Sequence, residues 1–331
     1  MRSPTLLLAF VIGVASPAAA PVGAQDVQAP VVDAQFADVG GVRIEYFAFG
    51  DSGLPVVWVQ DHHDYFREAT FGLEQAEEWV AFLERFADAF RVLAPVRRGW
   101  GASDDPGYGF DVATQAEDIL GVLDALEIER AVFVGRTIAT QDLTWIAEHH
   151  PGRVIGLVYL GTPHVTGTGQ FAAPDPAVER WAEMYNRSAC DIGVGSEVDR
   201  RLQPRNAFRA HFVEDPDVRI NIPTLLSLHP LIDREGHNLR RLNWLEAGEL
   251  GGDQECDAEA RAYFDELARS PARIAELRRA FEEEATGLVR VREAMQRAYG
   301  DRLTVVWGPD EFGLEPWYSI IRPFLESLKQ Q

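Results

Sequence analysis

Thr137 carries the side chain around which chemistry could be organised. It sits in Ala131–Trp145, AVFVGRTIATQDLTW. The apolar run Ala131–Val134 reads as a short buried strand, and Gly135 ends it. From Ile138 to His150 apolar residues recur at helical spacing, at Ile138, Leu143, Ile146 and Ala147. A strand that becomes a helix so abruptly needs small residues on both sides of the turn, and Gly135 and Ala139 supply them. A hydroxyl at such a tip can attack an acyl carbon if a base takes its proton and backbone N–H groups face the developing oxyanion. Arg136 stands immediately before it.

The remaining chemistry-bearing residues are scattered. Asp61-His62-His63-Asp64 follows the apolar run Pro55–Val59. These four, together with Glu311, could offer imidazole and carboxylate ligands to zinc. Adjacent residues seldom converge on one ion, however, and neither metal nor cofactor is expected. His149-His150 precede Pro151 at a helix end, where capping or the helix dipole is the simpler role. His164 follows a strand end at Gly161 and could approach a site there; His229 and His237 flank Asp233. Trp100 lies in a loop expected near a pocket, although packing is the commoner use of tryptophan. Asn186-Arg187-Ser188 matches a glycosylation acceptor pattern and is given no weight.

Elements to position these groups follow from periodicity. Residues 41–49 alternate and read as a strand; 26–37 have no clear period and read as a leader. Strands are expected over 55–59, 91–96, 131–134, 154–160, 222–228 and 303–307. Amphipathic helices are expected over 73–90, 112–126, 138–150 and 317–328. Apolar strands alternating with helices give a mostly parallel sheet covered on both faces, an α/β fold. Two stretches break the rhythm, 162–217 and 233–299, and read as a helical cap or lid. The core is then 25–161 with 218–331, and no internal repeat is evident. Cys190 and Cys256, the only cysteines, fall one in each interruption; an exported chain can oxidise them to a disulfide, and two separate thiols are the alternative.

At the N-terminus, Arg2, the apolar run 5–14 and the small residues Ala18-Ala19-Ala20 or Val22-Gly23-Ala24 match a signal peptide over 1–24. Export, to the periplasm or outside, is the expectation. The apolar run falls short of the roughly 20 residues a membrane span needs, so no span is expected in the mature chain. The net charge of −21 argues against nucleic acid and anionic membranes as partners.

Several segments together resemble the α/β-hydrolase superfamily, near its esterase and epoxide-hydrolase-like branch. They are Arg91–Pro106, RVLAPVRRGWGASDDP; Ala116–Val134, AEDILGVLDALEIERAVFV; and Glu148–Leu160, EHHPGRVIGLVYL. The turn at Thr137 resembles the nucleophile elbow, G-x-S-x-G, with Thr for Ser and Ala139 for the last Gly. The resemblance implies Thr137 at the nucleophile position, and Glu311 where the family has its catalytic His. It places Asp233 at a possible match to the acid, and the N–H groups of His62 and Ile138 at the oxyanion hole. No histidine occurs after His237. Where the family usually has His-Gly, this chain has Gln60-Asp61. A carboxylate about 4 Å from a developing oxyanion opposes it by roughly 4 kcal/mol at an effective dielectric of about 20. Arg136 is therefore expected to pair with Asp61, Glu311 or both, an ion-pair cluster standing in place of the triad.

The functional expectation is an exported, hydrolase-like protein whose catalysis is impaired and which binds a small, partly apolar ligand. An active ester hydrolase using Thr137, with Glu311 or a cap histidine as base, is the alternative. Metal-assisted hydrolysis through the loop Asp61–Asp64 is a third.

Overall fold

Gly40 and Gly41 both take positive φ, 61° and 87°. That is the conformation a two-residue hairpin needs to match the twist of its strands. The hairpin joins β1 (Gln35–Val39) to β2 (Val42–Phe49), with Val39 opposite Val42. A computed structural model shows this start of the sheet and describes residues 29–61, 65–67, 72–161, 176–178, 180–181, 184, 219–229, 237–248, 258–308 and 313–330, without the side chains of 284–288. The leader expected over 26–37 therefore already contains the beginning of β1. Its alternation is masked by the polar residues Gln35 and Asp38, which face outward on an edge strand.

The chain continues through β3 (Leu54–Val59), α1 (Leu73–Glu84), β4 (Phe90–Pro95), α2 (Val112–Ala125), β5 (Ala131–Arg136), α3 (Ala139–His149) and β6 (Val154–Leu160). Then come β7 (Thr224–Leu228), α4 (His237–Ala247), α5 (Ala258–Ala268), α6 (Pro271–Tyr299), β8 (Leu303–Trp307) and α7 (Leu314–Leu328). The eight strands form one sheet in the order β1-β2-β4-β3-β5-β6-β7-β8. The pairs β1–β2 and β2–β4 are antiparallel, and every later pair is parallel.

Helix α1 is shorter than its apolar pattern, which runs on to Phe90. Residues 85–89 form turns instead. Here Gly50 and Gly53 bring β2 and β3 so close that a Cβ on either would lie 2.5–2.6 Å from the carbonyls of Phe90 and Ala89. Phe86 and Phe90 thus stay buried without being helical.

Each sheet face carries its own core. On one side Leu120, Leu123, Leu143 and Ile146 pack against Val57, Phe133 and Leu157. On the other Trp79, Phe82, Leu83 and Leu325 cover Trp58, Val132 and Val158. A third cluster, Trp181, Leu242, Phe264, Leu277 and Phe281, joins α4, α5 and the first half of α6 into a separate helical layer. The last turns of α6 instead belong to the sheet core through Met295, Ala298 and Tyr299. No helix among the described residues is long and apolar enough to cross a membrane. The expected signal peptide, Cys190 and Cys256 lie outside the described residues.

Candidate active site

Strands β4 and β3 run to one side of the first crossover and β5, β6 to the other, so chain direction across the sheet reverses between β3 and β5. In open α/β sheets the crevice beyond the carboxyl ends at this reversal is where ligands bind. Val59 pairs with Gly135, so the residues just past both strand ends meet there. They are Asp61 and Thr137.

Thr137 has φ 46°, one of two non-glycine residues among the described ones with positive φ. The tight elbow is therefore kept, although this conformation is costly for a β-branched residue. Packing enforces it. A Cβ on Gly135 would come within 2.9 Å of Leu143 Cδ1 and 3.1 Å of Ala139 Cβ, so strand and helix approach as closely as small residues allow. Ile138 follows at the N-cap of α3 with no side-chain cap on the helix, leaving its N–H at the turn.

The Thr137 hydroxyl donates to Asp61 Oδ2 at 2.9 Å, and Arg136 Nε donates to the same oxygen at 3.1 Å. Asp61 is 1% exposed. The expected pairing of Arg136 with Asp61 is thus present, with the carboxylate wholly buried. Tyr65 completes the cluster, stacked on Trp79 at 4.2 Å. Burial raises the Tyr65 hydroxyl well above its ordinary range, and the Asp61 carboxylate pushes it the same way while Arg136 opposes. Burial disfavours charge on Arg136, but Tyr65 and Asp61 outweigh it and hold the guanidinium above its usual value. The site therefore contains a permanent cation, a carboxylate bonded to it, and two neutral hydroxyls.

A second buried arginine fixes the Asp61 backbone. Arg97 Nε donates to the carbonyls of Gln60 at 2.9 Å and Asp61 at 2.8 Å. Its terminal nitrogens bond Gln115 on α2 and Asp142 on α3. Gln60 in turn spans from Pro95 O to the N–H of Tyr65. The loop after β3 and the elbow helix are thus stapled together by one guanidinium. Arg98 forms a parallel pair of bonds to Asp118, both 2.6 Å. Inside α3, Thr140 donates to Thr137 O, and Thr144 donates to Thr140 O and meets the Tyr159 hydroxyl, which meets that of Tyr299. This chain of hydroxyls connects the elbow to the end of α6, and burial raises Tyr159 to about 12.

The other expected site residues divide as follows. His62, His164, Asp233 and Glu311 lie outside the described residues, as do His63 and Asp64. Trp100 is buried with its ring edge-on to Phe110. His149 stacks on Trp145 at 4.4 Å within α3, and His150, at the C-cap of that helix, meets Glu117 on α2 at 2.9 Å. Among the described residues, no histidine bonds the Thr137 hydroxyl. Tyr65, Arg97 and Asp142 were not singled out from the sequence. For Asp142 the signal available was a run of polar residues opening the elbow helix, Thr140-Gln141-Asp142, which buried positions tolerate only with partners.

The parallel sheet, its reversal point and the strained turn at Thr137 decide the architecture. The chain has the α/β-hydrolase fold. It aligns over 88% of its length with the whole chain of the enol-lactonase from Burkholderia xenovorans LB400, with a TM-score of 0.53 and 17% identity, a likeness of fold alone. Among curated proteins it is 34% identical over 123 residues to the non-heme chloroperoxidase of Streptomyces lividans, covering 36% of this chain and 41% of that one. It is 33% identical over 130 residues to epoxide hydrolase A of Mycobacterium tuberculosis, covering 38% and 37%. The chain thus spans about two-fifths of the length of these curated relatives. No family model matches it. The α/β-hydrolase fold expected from the sequence is the fold found, and the chain is hydrolase-like.

Proposed function

We propose that this hydrolase-like protein holds a small, partly apolar molecule at the elbow crevice and does not turn over esters by acyl transfer. One observation carries the reading: the buried Asp61 carboxylate is bonded at once to Thr137 Oγ1 and Arg136 Nε. A hydroxyl that donates to a carboxylate already neutralised by a guanidinium has no strong base beside it. A fixed negative charge at that place also opposes a developing oxyanion. Trp317, half-buried beside the buried rings of Tyr65 and Trp79, suits an apolar ligand body. The expected cap over 162–217 and 233–299 would close the crevice, and the helical cluster of α4, α5 and α6 supports that reading. The leader pattern over 1–24 supports export to the periplasm or outside.

A second reading is favoured by one distance. At 2.9 Å, Asp61 Oδ2 is also within reach to take the Thr137 proton, which would make the pair a nucleophile and base. A panel of p-nitrophenyl esters from acetate to octanoate separates the two. The expected result is hydrolysis by the wild type equal to that by Thr137→Ala. Turnover that disappears in Thr137→Ala would establish the second reading instead.

A further inference from the structure

We propose that the terminal nitrogens of Arg136 bind the carboxylate of a small aryl monocarboxylic acid whose ring lies on Trp317. This rests on the reading of the elbow crevice as a ligand site and names the ligand class it takes. Arg136 is spent only in part on the protein. Its Nε serves Asp61, and its side chain is 27% exposed. Among the described residues, Asp61 is the one carboxylate paired with it. A guanidinium carries five N–H donors in a planar fork, and the edge formed by its two terminal nitrogens matches a carboxylate with two parallel bonds. Because Asp61 is engaged through Nε, that edge is not taken up by its own ion pair.

Three rings surround the guanidinium, Tyr65 at 5.4 Å, Trp317 at 5.6 Å and Trp79 at 5.9 Å. They flank it with aromatic surface, and the Tyr65 hydroxyl also interacts with it, a low-dielectric setting that strengthens any charged bond made at its terminal nitrogens. Tyr65 and Trp79 are buried, whereas Trp317 is half-buried and offers a face. A ligand with its acid group on Arg136 and a flat apolar body on Trp317 satisfies both. The Asp61 charge on the far side of the guanidinium disfavours a dianion, so a monocarboxylate fits better than a phosphate monoester.

Calorimetric titration of the whole protein with benzoate, and with benzamide as the uncharged analogue of like shape, tests this. Benzoate should bind at least about tenfold more tightly than benzamide, the worth of a charge-assisted fork. Arg136→Gln should remove that preference, and Arg136→Lys should keep the charge but lose about threefold or more because the fork is gone. Asp61→Asn should widen the preference for benzoate over benzamide, a response that a purely structural role for Arg136 would not give. Equal binding of benzoate and benzamide by the wild type would overturn the carboxylate assignment while leaving the crevice a ligand site. Binding of neither would overturn both. A preference for benzoate that survives in Arg136→Gln would place the anion elsewhere and also refute the proposal.

Discussion

Replacing Asp142 by alanine should cost the fold about 3–5 kcal/mol, the usual penalty for leaving a buried charge without its partner. Asp142 is fully buried, and Arg97, which bonds it, is 8% exposed. Loss of the carboxylate strands a guanidinium that also holds the Gln60 and Asp61 carbonyls, so the loop after β3 should loosen with the core. A drop in the urea midpoint with little change in slope is the expected signature. The paired change Arg97→Leu with Asp142→Leu should recover part of the loss, because it removes both charges. The pH dependence has a definite sign. Burial holds the Asp142 carboxyl above its ordinary value of 3.8, with Arg97 pulling the other way. The folded chain therefore binds that proton more tightly than the unfolded chain. The stabilisation is full below the unfolded value and is lost as pH rises through the folded one. The deficit of Asp142→Asn relative to wild type should thus shrink as pH rises above that ordinary value. A deficit that grows over this range would mean that Arg97, not burial, controls the group.

Asp61→Ala should be the next most damaging change, at about 2–4 kcal/mol, since two bonds to a charged acceptor are lost. Arg136 is then left beside Tyr65 and the tryptophans without its carboxylate among the described residues, and the Thr137 hydroxyl loses its bond to Asp61. Asp61→Asn keeps an oxygen for Thr137 and should cost about half as much. Thermal unfolding of the two variants reads this order. Equal stability of Asp61→Ala and wild type would show that the ion pair contributes nothing at the elbow.

The two variants bear on how much could be seen beforehand. Strands β3, β5 and β6 and helices α2 and α3 follow from apolar runs and spacing, because their periodicity is set by burial against the sheet. The elbow was legible from Gly135 and Ala139, because small residues at a strand-to-helix junction have few other uses. The pairing of Arg136 with Asp61 followed from placing both at the strand ends of one known architecture. Strand β1 escaped because an edge strand need not be apolar, although the Gly40-Gly41 hairpin turn marked it. Arg97 and Asp142 escaped for another reason. They are 45 residues apart, and no local pattern tells a buried arginine from a solvated one. Tyr65 carries no local signal in the sequence, and its stacking on Trp79 and the bond of its N–H to Gln60 place it beside the carboxylate.

The central claim is that the Thr137 hydroxyl is held by an ion pair and is not an activated nucleophile. Treating the protein with excess fluorophosphonate and measuring its intact mass tests this most directly, since an activated hydroxyl displaces fluoride and keeps the phosphonyl group. The mass should remain that of the unmodified chain. A stoichiometric adduct that maps to Thr137 and is absent from Thr137→Ala would contradict it.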